Sequence, residues 1–424
     1  MPIPIPPGVF DILPNDSQEP WKSSHLWNYV EKMMRETALT YGFQEIRTPL
    51  FERTELFQRG VGETTDIVSK EMYTFEDKGG RSMTLRPEGT APAMRAFIEN
   101  QLHQQALVHK FFYICPMFRY ERSQAGRYRQ HHQFGVEAIG ISAPEQDVEI
   151  IDMIYTLFNR LGLRHLTVGL NSVGDLPSRT AYREALINYL KDFFHELSPE
   201  SKVRFAANPL RILDSKDPHD KKIMSHAPSI LDFLNEESRK HFENVKKLLG
   251  HLGIPFHIDA KLVRGLDYYN KTVFEIVAGE LGAQNSLVGG GRYDGLIKTL
   301  GGPDLPAMGF GAGIERIIQT LLKQEGPRPN PGYPLLFLIP IGQASAEVCF
   351  RILHELRQSG IPAQMDYSGK KLAKAMQYAD AIKAKYVAVV GDNELETDEV
   401  DLKEMATGHK TKAPLSSLRE HLKI

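Results

Sequence analysis

The chain is 424 residues long, 42% apolar and 25% charged, with a formal net charge of −2. That length allows two or three domains with cores of their own, and the near-neutral balance excludes a protein coated in basic charge while leaving room for local basic patches. Only two cysteines occur, Cys115 and Cys349, without partners at metal-ligand spacing, so a disulfide framework and a cysteine zinc site are both excluded.

The opening stretch, MPIPIPPGVFDILP, holds five prolines, and a signal peptide needs an uninterrupted helical apolar run instead. No run of eighteen apolar residues occurs, so no membrane span is expected and the protein is assigned to the cytoplasm. Apolar residues at Leu26, Tyr29, Val30, Met33, Met34, Thr37, Ala38 and Tyr41 predict an amphipathic helix ending at Gly42. FQEIRTPLFE (43–52) follows as one short extended segment, and Pro49, which has no N–H to donate, puts it at a sheet edge. Helix and edge strand make either a dimer surface or a helix packed on its own sheet. In LRPEGTAPAMRAF (85–97), Thr90 is the expected helix N-cap with Pro92 in the first turn. Glu88 lies just ahead, where complementing the helix dipole would suffice to explain it.

ALVHKFFYICPMFRYE (106–121) and HQFGVEAIGI (132–141) predict a long hairpin whose connection carries arginines at 119, 122, 127 and 129. Alternation sets Arg119 and Glu121 opposite Phe118 and Tyr120, and Gln133, Gly135 and Glu137 opposite Phe134, Val136 and Ala138. The polar face is either wetted or covered. Covered charges need partners, and arginine's planar fork suits a phosphate.

Helical periodicity fills 144–161 and again 178–250, the second block reading as an inserted module without motif-like residues. Strands are expected in IPFHIDAKLV and YYNKTVFEIV, with Arg264 and the pair Tyr268–Tyr269 flanking a tight Gly-Leu-Asp turn. The glycine-rich LVGGGRYDGL comes next, and PAMGFGAGIERIIQTLL runs from an extended segment into a helix bearing Arg316. QEGPRPNPGYP supplies a proline-glycine linker at 326–331, beyond which strands and helices alternate in a small α/β domain, 332–424. There KKLAKAMQYADAIKAK holds five lysines against one aspartate, and DNELETDEVDLKE seven acids against one lysine. The basic helix is either an RNA-facing surface or a solvated one. Neither common phosphate-loop fingerprint occurs, so a nucleotide enzyme here would grip phosphates with arginines.

FRYER…QAGRYRQHHQFGVE resembles motif 2 of class II aminoacyl-tRNA synthetases, GFGAGIER resembles motif 3, and the first long helix with TPLFE is similar to motif 1 and its interface proline. LRPEGT and above all LVRGLDYYNKTVFE resemble signatures of the histidyl-tRNA synthetase family, and the likeness runs over essentially the whole chain. It implies an α+β catalytic domain over 1–325, an antiparallel sheet flanked by helices, with a mainly helical insertion at about 175–250 and a C-terminal α/β anticodon-binding domain, assembled as a homodimer. The implied activity is ATP-dependent activation of L-histidine and its transfer to tRNA(His), with Mg2+ on the phosphates and no protein ligands for it identified.

The same likeness implies roles. Arg119 and Arg264 would be catalytic, on either side of the α-phosphate. Glu88, Gly89, Thr90 and Gln133 would receive the histidine amino group, and Glu137 and Tyr269 would flank its imidazole beside Tyr268. Glu121 and Arg316 would hold adenine and γ-phosphate. His131 stands where the family commonly has a phenylalanine on the adenine, and an unperturbed imidazole there would titrate between about 6 and 7. Arg122, Gln124, Arg127 and Arg129 would meet the tRNA acceptor end, although carboxylate pairing would also account for Arg127 or Arg129; Lys370, Lys371 and Lys374 would face the anticodon. Ser123 replaces a frequent proline. Rival readings are a non-catalytic synthetase-like regulatory subunit of histidine biosynthesis, or a class II enzyme for threonine, proline or glycine.

Overall fold

The computed structural model describes residues 3–63, 65–121, 126–279, 286–327, 329–369 and 371–422. Two compact units emerge, 1–328 and 329–424.

In the first unit the strands are β1 (Gln44–Glu45), β2 (Phe51–Arg53), β3 (Tyr73–Glu76), β4 (Ser82–Leu85), β5 (His109–Phe118), β6 (Gln130–Ile139), β7 (Leu166–Ser172), β8 (Phe256–Ile258), β9 (Asn270–Ala278), β10 (Ser286–Arg292) and β11 (Ala307–Gly313). Its helices are α1 (Ser24–Thr40), α2 (Thr54–Val61), α3 (Thr90–Glu99), α4 (Pro144–Arg160), α5 (Leu176–Lys191), α6 (Pro199–Ala207), α7 (Pro218–Met224), α8 (Glu236–His251), α9 (Leu296–Thr299) and α10 (Ile314–Lys323). Eight strands form one sheet in the order β1-β5-β6-β11-β10-β9-β7-β8. Its six central strands are antiparallel, and the two edge strands pair parallel to their neighbours.

Period-2 alternation sorts the two faces. Phe112, Phe134, Val136, Phe274, Ile276, Met308, Phe310 and Ala312 enter one core with the apolar stripes of α1, α4 and α10. The opposite face carries Tyr113, Val273 and Ala307 and is covered in part by α3 and the insertion helices.

The segment 43–52 is not the single edge strand expected from its sequence. It splits into β1, parallel to β5, and β2, which joins β4 and β3 in a separate three-stranded sheet. The cause lies at Pro49, which has no N–H, and in Arg86, whose buried guanidinium donates to the carbonyls of Thr48 (2.9 Å) and Pro49 (3.2 Å) and draws the chain out of the large sheet.

In the second unit β12 (Leu336–Pro340), β13 (Ala363–Met365), β14 (Tyr386–Val390), β15 (Glu399–Glu404) and β16 (Lys410–Pro414) run in the order β13-β12-β14-β15-β16. Helices α11 (Gln343–Gln358) and α12 (Leu372–Ala381) bury their apolar faces in separate clusters, with Leu338 and Ala388 under the first, Phe337 and Val387 under the second. The acidic helix α13 (Asp392–Thr397) packs through Leu395 into the cluster under α11, on the sheet face opposite α12. Lys371 and Lys374 are exposed at the start of α12.

Candidate active site

The floor of the site is a row of glycines. Tyr113, Gly135, Gly311 and Gly289 stand opposite one another across β5, β6, β11 and β10. In β11 Met308, Phe310 and Ala312 face the core, while on the other face Gly311 and Gly313 line the cavity and Gly309 lies against Glu137. Glycine in a strand interior weakens the strand, and its use there marks a close approach. Side chains occupy the cleared space. A Cβ on Gly135 or Gly89 would collide with the Tyr113 ring, one on Gly311 with the Gln133 amide, and one on Gly289 with the Arg264 guanidinium.

Around this floor the cavity is lined by Glu88, Thr90, Arg119, Glu121, Arg127, His131, Gln133, Arg264, Tyr268, Tyr269 and Arg316. Residues from five separate stretches of chain thus converge. Arg119 and Glu121 lie past the end of β5, beyond the strand alternation expected to orient them. Arg119 Nε donates to the carbonyl of Pro87 at 2.7 Å, which fixes the guanidinium beside Glu88. Arg316 donates to the carbonyls of Gly126 (3.1 Å) and Ser286 (2.9 Å), and burial together with Arg127 lowers its pKa; a guanidinium nonetheless keeps its proton. Both arginines are anchored through backbone carbonyls, and Arg119 also lies 3.9 Å from a Glu121 carboxylate oxygen.

Helix α3 begins at Thr90, and its cap is not the Thr90 side chain. The Glu88 carboxylate accepts the backbone N–H groups of Thr90 (2.7 Å) and Ala91 (2.9 Å). Capping thus occupies the residue whose local explanation was helix-dipole complementation. Burial still pushes the Glu88 carboxyl upward, against the pull of those N–H groups and of Arg119.

Glu137 is fully buried below the cavity. The Tyr113 hydroxyl donates to one of its oxygens at 3.0 Å and the Tyr293 hydroxyl to the other. Burial raises Glu137 to about 8, against the hydrogen bonds from Tyr293, Thr90 and Tyr113. The rings of Tyr268 and Tyr269 meet at a tilt of 44°, with centroids 4.7 Å apart. Sequence reasoning missed Tyr113 and Tyr293. Tyr113 sits in an apolar run and reads as core, and only its register opposite Gly135 reveals it.

Burial and the nearby Arg119, His132 and Arg316 lower the pKa of His131 from 6.5 to about 3. The expected titration between 6 and 7 is therefore absent: the imidazole is neutral throughout that range. Polar atoms in the site are buried without a hydrogen-bond partner, among them Gln133 Oε1 and Arg264 Nε. Such orphans suit a polar ligand.

Arg127 forms an ion pair with Glu121 at 3.4 Å. Arg129 stacks on the Tyr120 ring at 4.0 Å and points to the carbonyls of Glu121 and Pro7. Arg122, Ser123, Gln124 and Lys370 lie outside the described residues. Behind the floor, buried Asp147 on α4 accepts from Arg292, from His241 (2.7 Å) and from Thr272 (2.6 Å), and Arg292 also donates to the carbonyls of Ile141 and Ala143. This network ties β9 and β10 to α4 and was not foreseen; its members are too far apart in sequence for any periodicity to join them.

Residues 8–317 match the family described as Histidyl-tRNA synthetase, and residues 336–423 match the anticodon binding domain. A histidine–tRNA ligase of Protochlamydia amoebophila is 65% identical over 99% of both chains. One from Geobacillus kaustophilus is 49% identical, covering 99% of this chain and 97% of its own. Among solved structures, apo S. aureus histidyl-tRNA synthetase superposes over 100% of both chains with a TM-score of 0.82 at 39% identity. Motifs, fold and relatives agree over the full length, and the chain belongs to the histidyl-tRNA synthetase family.

Proposed function

We propose that this protein activates L-histidine with ATP and transfers it to the 3′ end of tRNA(His). The observation that carries this reading is Glu137, a carboxyl buried beneath a polar cavity and oriented by two tyrosines, with Arg119 and Arg264 lining the same cavity. A neutral imidazole has one donor and one acceptor. Glu137 would take the N–H and Tyr269 would meet the other nitrogen, so a residue lacking those groups would leave the buried carboxyl unsatisfied and be rejected strongly.

The histidine ammonium would sit among Glu88, Thr90 and Gln133, close to the backbone of Gly89. Its carboxylate attacks the α-phosphorus in line, the bond to the β-phosphate oxygen breaks, and pyrophosphate leaves. Negative charge grows on the phosphoryl oxygens, and Arg119 and Arg264 stabilise it where it develops. Arg316 would hold the γ-phosphate, Glu121 the adenine amino group, and His131 the adenine face. The ribose hydroxyl of the tRNA end then attacks the histidyl carbonyl and AMP leaves.

Mg2+ binds through phosphates and one or two carboxylates. Glu315 at the cavity wall fits that mode and would assist charge neutralisation. Arg127 and Arg129, with Arg122 and Gln124, would meet the acceptor end, and Lys370, Lys371 and Lys374 of the second unit the anticodon. Exposed Leu50 and Phe51 beside Pro49 supply apolar surface for a homodimer in the cytoplasm.

A regulatory subunit would have no use for Arg119, Arg264 and Arg316 lining one cavity, and another amino acid none for Glu137. The test is ATP–pyrophosphate exchange with each amino acid in turn. Exchange is expected with histidine alone; exchange driven by threonine, proline or glycine, or none at all, would overturn the proposal.

A further inference from the structure

The loop between β8 and β9 carries Arg264 into the cavity, and the helical insertion grips it. Arg211 Nη1 donates to the carbonyl of Gly265 at 3.1 Å. Asn208 Nδ2 donates to Asp267 Oδ1 at 3.0 Å. Arg179 on α5 donates to the carbonyl of Tyr269 at 2.9 Å and approaches that of Asp267 at 3.4 Å. On the loop's other side the Asp267 N–H reaches the carbonyl of Val61 at the end of α2, and a Cβ on Gly62 would stand 2.7 Å from the Asp267 carboxylate. The loop is thus held between α2 and the insertion.

The chemistry of these contacts is unusual for simple packing. Burial lowers the pKa of Arg179, so placing a charged guanidinium there is unfavourable, yet its fork is directed at backbone carbonyls. Arg211 also approaches Asp66 (3.5 Å) and Asp214 (3.7 Å), so it bridges the catalytic body and the insertion. Two guanidinium groups and one amide therefore fix three consecutive parts of the loop: Gly265, Asp267 and Tyr269. Its conformation decides where the Arg264 guanidinium lies above Gly289.

We propose that the helical insertion acts as a clamp on the Arg264 loop, with Arg211, Asn208 and Arg179 as positioning residues for the activation step. The inference rests on the proposed role of Arg264. None of the three touches the reacting atoms; each acts by restricting the backbone that presents Arg264. An ångström of misplacement at a charge-stabilising group costs on the order of a hundredfold in rate. Releasing one anchor should therefore lower turnover while leaving the ground-state ATP site intact.

The experiment uses the full-length protein. Histidine-stimulated exchange by the wild type first tests the functional reading independently. Arg211→Ala should then lower exchange kcat by about ten- to a hundredfold with the KM for ATP nearly unchanged. Arg211→Lys, which keeps one donor for the Gly265 carbonyl, should recover part of the loss. In an Arg264→Ala background, Arg211→Ala should have little further effect, because the group it positions is gone. Asn208→Ala leaves the Arg211 ion pairs untouched and serves as the second variant if the arginine variant does not fold; a several-fold fall in kcat is expected. Unchanged kcat in a folded variant, an equal rise in KM for ATP, or full additivity with Arg264→Ala would overturn the clamp.

Discussion

Gly289→Ala separates the chemistry of the site from its stability. Gly289 lies in β10 and has no positive φ, so its backbone accepts an alanine, and only space is at issue. A Cβ there would fall well inside 3.0 Å of three atoms of the Arg264 guanidinium. Ordinary contact is about 3.5–4.0 Å, so the guanidinium must withdraw by more than ~1 Å. It is the far end of a flexible side chain, so the strain is relieved there and the sheet survives. Displacing a charge-stabilising group by that much should lower the rate by roughly a hundredfold, about 2.7 kcal/mol in the barrier. The assay is exchange kcat at saturating histidine and ATP, with thermal unfolding alongside. Gly250→Ala is the control: it lies in α8 with no atom within 4 Å, and it should leave kcat alone and raise stability slightly. A Gly289→Ala protein with wild-type turnover would refute the argument, because it would mean that the position of Arg264 does not govern the reaction.

Three further outcomes are expected. Glu137, raised to about 8 against an ordinary 4.5, holds more protons folded than unfolded between those values, so its contribution to stability falls as pH rises through that window. Glu137→Gln should remove that slope, raise Tm at about pH 8, and abolish histidine-dependent exchange; melting curves identical to wild type from about pH 5 to 8 would refute the assignment. His131→Phe should tighten ATP binding by on the order of 0.5–1 kcal/mol through added apolar contact, and by the same amount at pH 6 and pH 8, since the imidazole titrates near 3; equal Kd values for both proteins would mean that the ring does not touch the nucleotide. Removing everything after Pro331 should leave histidine activation and greatly weaken tRNA charging, and full charging by the shortened chain would refute the role given to the second unit.

The hairpin was legible in the sequence because strand alternation is a local property. Gln133 and Glu137 fall on the face opposite Phe134 and Val136, as their spacing required, and β11 alternates glycine with apolar residues in the plain order of its letters. Helix α4 was readable for the same reason. What failed was non-local. The segment around Pro49 looked like one strand because nothing nearby in sequence announces Arg86, thirty-seven positions on, taking its carbonyls. The insertion carries no motif because Arg179, Asn208 and Arg211 are scattered in sequence, and only folding brings them together at the loop of Arg264. Arg292 and Asp147, 145 positions apart, are joined only by the sheet.

The glycine row could have been found. LVGGGRYDGL reads only as glycine-rich and GFGAG only as an extended lead-in to a helix, whereas a strand bearing glycine on one face only is evidence that something lies on that face. The physical consequence reaches beyond the site. A sheet face cleared of side chains loses the cross-strand pairs that normally hold strands together. Here the lost contacts are offset on the opposite face, where Phe134, Phe274, Val288, Met308 and Phe310 are all buried in one cluster behind the same strands. Phe134 and Phe310 meet edge to face at 5.6 Å, directly beneath the row. The sheet's stability therefore resides on the core side and the proposed chemistry on the other. Substitutions at the glycines should consequently disturb activity far more than folding, and substitutions at Phe134 or Phe310 the reverse.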